Sequence, residues 1–190
     1  AGTVHGDVWT FGADVLLVEP TAGAPSRHAV PFNGAALDGE RNPIHLYLDA
    51  GKESAVADLA GQAGADRVAK LASAADVVLH GFDRATAARL GLLSGDPAPW
   101  PRTIVTAVTP FGLSGPWADA PWSELTISAA SGYMYLCGEP GMEPLGHFAR
   151  EALYTGGSVA VVATLAALAA RHRDGMGTYV DVALLEANQA

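Results

Sequence analysis

Residues 155–171, TGGSVAVVATLAALAAR, restrict the fold of this 190-residue chain more than any other stretch. An almost unbroken apolar run, rich in Ala and several turns long, predicts a buried helix from Thr155 to Arg171. A basic exit, Arg171-His172-Arg173, and the turn Gly175-x-Gly177 close it. Val180–Leu185 follows, either as a strand or as a strand leading into another helix. The longest apolar run, Val159–Ala170, is shorter than the roughly 20 residues of a bilayer span, so a core helix is expected and no membrane.

The rest of the chain alternates in the same way. Val15–Glu19 (VLLVE), Asp76–His80 (DVVLH) and Thr103–Thr109 (TIVTAVT) read as buried strands. Helices are expected at Val4–Phe11, Gly64–Ser73 and Ser123–Tyr135, with a loop from Pro20 to about Pro43. Strands separated by helices predict an α/β fold, an open parallel Rossmann-like sheet with helices on both faces. Such sheets bind ligands at the carboxyl ends of their strands. The loops after Glu19, His80 and Thr109 are therefore where a site is sought.

Charge and motifs narrow the function classes. A formal net charge of −9 argues against a nucleic-acid partner, which needs a basic face. Cys137 is the only cysteine, so no internal disulfide forms, which fits a cytoplasmic setting. The six histidines lack metal-ligand spacing, so no metal is expected. Gly175-x-Gly177 precedes a strand, whereas a dinucleotide fingerprint follows one, so no NAD is expected. Thr155-Gly156-Gly157 has two readings. As a helix start it offers free N–H groups to a thiolate or oxyanion; alternatively its glycines only allow close packing. Arg27, Lys52, Arg84 and Arg89 are the basic residues nearest the strand-end loops. They are either phosphate contacts or ordinary solvated charge.

Six segments in order resemble the class III coenzyme A-transferases, a group that includes formyl-CoA transferase, carnitine CoA-transferase and α-methylacyl-CoA racemase. They are GADVLLVEP with AGAPSR, GKESAVADL, ADVVLHGFDRATAARLGL, TPFGLSGP, AASGYMYLCGEP and LAALAARHRDGMGTYVDVALLEA. The resemblance implies that residues 1–190 are the N-terminal nucleotide-fold part of a longer architecture. A preceding strand and a small second domain would lie outside them. It also implies acyl-CoA and a carboxylic acid acceptor as substrates, and an interlocked homodimer or a heterodimer with a related chain.

By the same resemblance, coenzyme A lies over the strand-end loops. Ala57 and Leu59 fall where the family lines its adenine pocket. Gly81, Phe82, Thr86, Arg89 and Leu90 fall along its cofactor loop, and Arg27 joins them as a basic contact. Gly81 replaces the usual Asn, and Asp83 and Arg84 depart from the usual Arg-Pro. In the transferases an Asp before the long helix attacks the thioester. The departing thiolate then captures the acyl-enzyme anhydride, and the enzyme-bound CoA thioester passes CoA to the acceptor. Here Leu153 occupies that Asp position, with Ala152 beside it. Glu151 and Glu124 are the candidate carboxylates. In the racemase branch a His would stand at Ser123, after Trp122. The alternatives are a catalytically silent subunit paired with an active partner, or an acyl-CoA racemase, epimerase or lyase.

Overall fold

β4 (Ile104–Thr109) is buried at every position. A β-branched run of this kind suits a central strand covered on both faces. β3 (Val77–His80) and β5 (Tyr179–Ala183) flank it, both parallel, giving the order β3-β4-β5. β1 (Leu16–Glu19) pairs in parallel with β2 (Glu53–Val56), Leu16 opposite Glu53. The parallel arrangement is as expected, but among the described residues the strands form two sheets rather than one. This computed structural model describes residues 12–30, 38–93, 100–146 and 150–189. The helix expected at Val4–Phe11 lies outside them.

The helices follow from local chemistry. α1 (Pro43–Leu48) is capped by the Asn42 side chain and carries Pro at its first position. α2 (Gln62–Ala74) matches the expected helix and extends it by one or two residues at each end. α3 (Arg84–Arg89) is set by Asp83, whose carboxylate accepts from Thr86 N at 2.9 Å. The single helix expected at Ser123–Tyr135 is two, α4 (Glu124–Ala130) and α5 (Tyr133–Leu136). Gly132, at φ +88°, breaks the run with a left-handed residue that a side chain would disfavour. A capping box between Ser123 and Thr126 starts α4.

α6 (Glu151–Asp174) begins four residues before Thr155. Glu, Ala and Leu at 151–153 are good helix formers, and the Leu153 and Tyr154 N–H groups both reach Arg150 O at 3.1 Å. Thr155-Gly156-Gly157 therefore lies in the second turn and presents no helix start to an anion. The packing reading accounts for Gly156: a Cβ there would fall 2.2 Å from Leu184 Cδ2. Leu184 opens α7 (Leu184–Ala187), so β5 does lead into a helix.

The face of α6 on the sheet is small: Ala152, Gly156, Ala160, Thr164 and Ala167 are buried. Bulky Tyr154, Val162 and Leu165 point outward and are exposed. By length and composition alone this helix is sufficient to cross a membrane. Its small-residue stripe packs on β4 and β5. One polar bond ties the layers, Thr106 Oγ1 to Thr164 Oγ1 at 2.8 Å, with Thr106 fully buried. Thr164→Val should destabilise the chain by about 1–2 kcal/mol in urea denaturation, because the Thr106 hydroxyl is left unsatisfied. Adding Thr106→Val should recover most of that loss.

Candidate functional site

The loops leaving β2 and β3 meet on one packed cluster. Ala65 and Val68 of α2, Ala87 of α3, Leu90 and Leu92 are its buried members. Leu59, from the loop after β2, and Phe82, from the loop after β3, pack against it. Arg89 Nη1 donates to Leu59 O, joining the same two loops. Ala57 is buried, and its N–H donates to Glu19 O at 2.8 Å. Gly81 is half-buried beside Phe82, and Thr86 is held by both carboxylate oxygens of Asp83. Those bonds hold the Asp83 carboxyl below its usual range. Leu90 is 2% exposed, so its side chain supports the loop from below.

The basic residues divide by what they already bind. Lys52 turns inward, its Nζ 2.7 Å from Leu48 O and 3.0 Å from Asp49 Oδ1. Arg27 pairs through Nε and Nη2 with the carboxylate of Glu19, at 2.6 and 2.9 Å. Its Nη1 reaches Glu40 Oε1 at 2.5 Å. Glu19 also accepts from Ser54 Oγ and from Ala24 N. The Arg27 guanidinium and these hydrogen bonds hold the Glu19 carboxyl down at about 2. Arg84 and Arg89 are exposed.

A neighbouring cleft of about 300 Å³ is lined by Arg84, Leu93, Leu113, Ser114, Tyr179 and Asp181. Of these, the sequence points individually to Arg84 alone. Alternation along TYVDV places Tyr179 and Asp181 on one face of β5, a period-two signal the sequence did carry. His80, at the end of β3, stacks on Phe82 with ring centroids 5.8 Å apart. Burial pushes its imidazole down to about 4, so it is neutral at pH 7. Burial likewise raises the Tyr179 phenol to about 12.

The carboxylate candidates open two helices, α4 and α6, that pack on each other. Glu124 opens α4, and its carboxylate oxygens are buried. Glu151 opens α6 and is exposed; the nearby Tyr133 phenol is raised chiefly by its hydrogen bond with Cys137, with the Glu151 charge adding to it. Leu153 packs against the cluster of Val108, Ile127, Ala152, Ala160, Val182 and Leu184. Two residues apart on a helix is a rotation of about 200°, so Glu151 and Leu153 face opposite ways.

The sequence profile of CoA-transferase family III matches residues 9–190. The chain belongs to CoA-transferase family III. It is 37% identical over 181 residues to subunit BbsE of the succinyl-CoA:(R)-benzylsuccinate CoA-transferase of Thauera aromatica. That match covers 93% of this chain and 43% of the relative. Identity to the succinate–glutarate CoA-transferase of Agrobacterium fabrum is 35% over 184 residues, covering 95% and 46%. A crystal structure of a CAIB/BAIF family protein from Brucella suis superposes with a TM-score of 0.85 at 31% identity. It covers 97% of this chain and 49% of that one. This family III chain thus spans about half the length of the relatives it matches.

Proposed function

We propose that this chain is the coenzyme A-binding part of an acyl-CoA-dependent transferase that moves coenzyme A between carboxylic acids. The observation that carries the reading is the meeting of two strand-end loops. Ala57 and Leu59 come from one, and Gly81, Phe82, Thr86 and Arg89 from the other. In an open α/β fold this is the ligand-binding edge. Arg89 and Arg27 supply positive charge for the cofactor phosphates. A nucleophilic carboxylate is still required, and Glu151 or Glu124 fills that role. The chain works in the cytoplasm, in a dimer with itself or with a related polypeptide.

The packing of Leu153 favours a second reading. A half-buried apolar side chain packed against the core cluster stands where the family's Asp is expected. In this reading the chain is a silent subunit, and a partner provides the Asp. Several family relatives are named as subunits, among them BbsE and the beta subunit of the succinyl-CoA–L-malate CoA-transferase of Chloroflexus aurantiacus.

One experiment separates the two. The protein is incubated with succinyl-CoA, trapped with hydroxylamine, and its peptides are weighed. A hydroxamate on the peptide bearing Glu151 or Glu124 is the expected result for the active chain. A hydroxamate only on an Asp of a co-purifying chain establishes the silent subunit. No adduct on either chain with any acyl-CoA donor tried would reject the transferase reading.

A further inference from the structure

The loop that carries Arg27 is built more tightly than a surface arginine requires. Glu19, which grips Nε and Nη2, has a side chain only 2% exposed, while that of Arg27 is 17% exposed. Two glycines flank the arginine. A Cβ on Gly23 would lie 3.0 Å from Arg27 Cδ, and one on Gly39 would lie 3.3 Å from Arg27 Cβ. Gly23 also sits at φ +85°. The backbone is pinned in turn, with Asn42 Nδ2 donating to Arg27 O at 3.2 Å and Ala29 O at 2.6 Å. Beside it, Ser26 Oγ donates to the buried Asp49 carboxylate at 2.5 Å.

Burying a carboxylate to hold one arginine is a poor route to stability, since desolvation offsets much of the attraction. It does fix the direction of the guanidinium. The edge left over, Nη1, faces outward and meets Glu40, whose side chain is 76% exposed. A 3-10 turn at Gly39–Arg41, started by the Asp38 side chain, delivers that carboxylate.

We propose that Arg27 is a preset seat for a nucleotide phosphate, aimed by Glu19 and occupied in the free protein by Glu40 as a stand-in anion. Glu19 is the positioning residue. Glu40 is the competitor, and it leaves when a phosphate arrives. An exposed ion pair contributes little, so the competition is mild and reversible. The proposal rests on the coenzyme A reading above and adds to it a displacement step.

The test is a double-mutant cycle read by coenzyme A binding to the whole polypeptide, with any partner that co-purifies. Glu40→Gln should tighten binding about two- to fivefold, as loss of that ion pair implies. Arg27→Gln should weaken binding tenfold or more, in line with a lost charge-assisted contact. In the Arg27→Gln background, Glu40→Gln should change nothing. An equal gain in both backgrounds would mean a general charge effect and would overturn the proposal while leaving the coenzyme A reading intact. No coenzyme A binding by the unaltered protein would sink both. Repeating the cycle with 3′-dephospho-CoA locates the phosphate. Loss of the coupling assigns Arg27 to the 3′-phosphate, and its persistence assigns it to the diphosphate.

Discussion

Glu19→Gln should destabilise the chain by about 3 kcal/mol at pH 7, the equivalent of moving its carboxyl from 4.5 to about 2. The change leaves Arg27 facing an amide where it now has a buried carboxylate, and breaking such a pair is costly. The pH dependence has a definite sign. The folded-state value lies below the unfolded one, so the stabilisation is complete above about pH 4.5 and drains away as pH falls toward 2. Urea denaturation at pH 7, 4 and 2.5 is the measurement. The gap between the unaltered chain and the variant should be widest at pH 7 and shrink to about a quarter of that at the lowest pH. A gap independent of pH would show that the carboxylate's charge is not what Arg27 needs.

Gly64→Ala should also be severe, and in the direction opposite to helix propensity. In an open helix that exchange stabilises by about 1 kcal/mol. Gly64 is not open. A Cβ there would lie 1.8 Å from Asp58 O and 3.2 Å from Leu59 Cα. Both are backbone atoms, so no rotamer relieves the clash, and α2 must move away from the loop after β2. A loss of about 3 kcal/mol is expected, which for a domain of this size lowers the melting temperature by roughly 6–12 °C. Coenzyme A affinity should fall with it, because Leu59 and the carbonyl bonded by Arg89 belong to the displaced loop. A melting temperature unchanged within a degree would show that the close approach is not obligatory.

The segments readable from the sequence were those whose own composition decides their structure. The apolar runs of β1, β3 and β4, the periodicity of α2 and the body of α6 are of that kind. β2 was not, because ESAV has no apolar run and its pairing depends on β1 lying beside it. α3 was hidden for a related reason: RATAAR has little apolar periodicity, and the Asp83 cap sets it. Thr-Gly-Gly imitates a helix boundary and so hides the true start of α6, whereas Gly156 serves the approach of Leu184.

The site was legible to a similar depth. Arg27 could be named as a basic residue near a strand end. Its grip by Glu19, Gly23 and Gly39 joins residues up to 12 positions away across a loop and leaves no local pattern. Leu153 could be seen to stand where an Asp was expected, but its inward packing and the outward direction of Glu151 required the helix itself.

The arginine contacts beside β2 have a mechanical consequence. Among the described residues no ladder joins β2 to β3, and arginines tie the chain around β2 to the helices that follow. Arg67 of α2 reaches Val56 O of β2, and Arg89 of α3 reaches Leu59 O. The proposed coenzyme A contacts lie on both loops, Ala57 and Leu59 on one, Gly81 to Arg89 on the other. A nucleotide bound there would touch both loops at once. Part of its binding free energy then goes into holding them together, and the bound state should protect both loops from local opening.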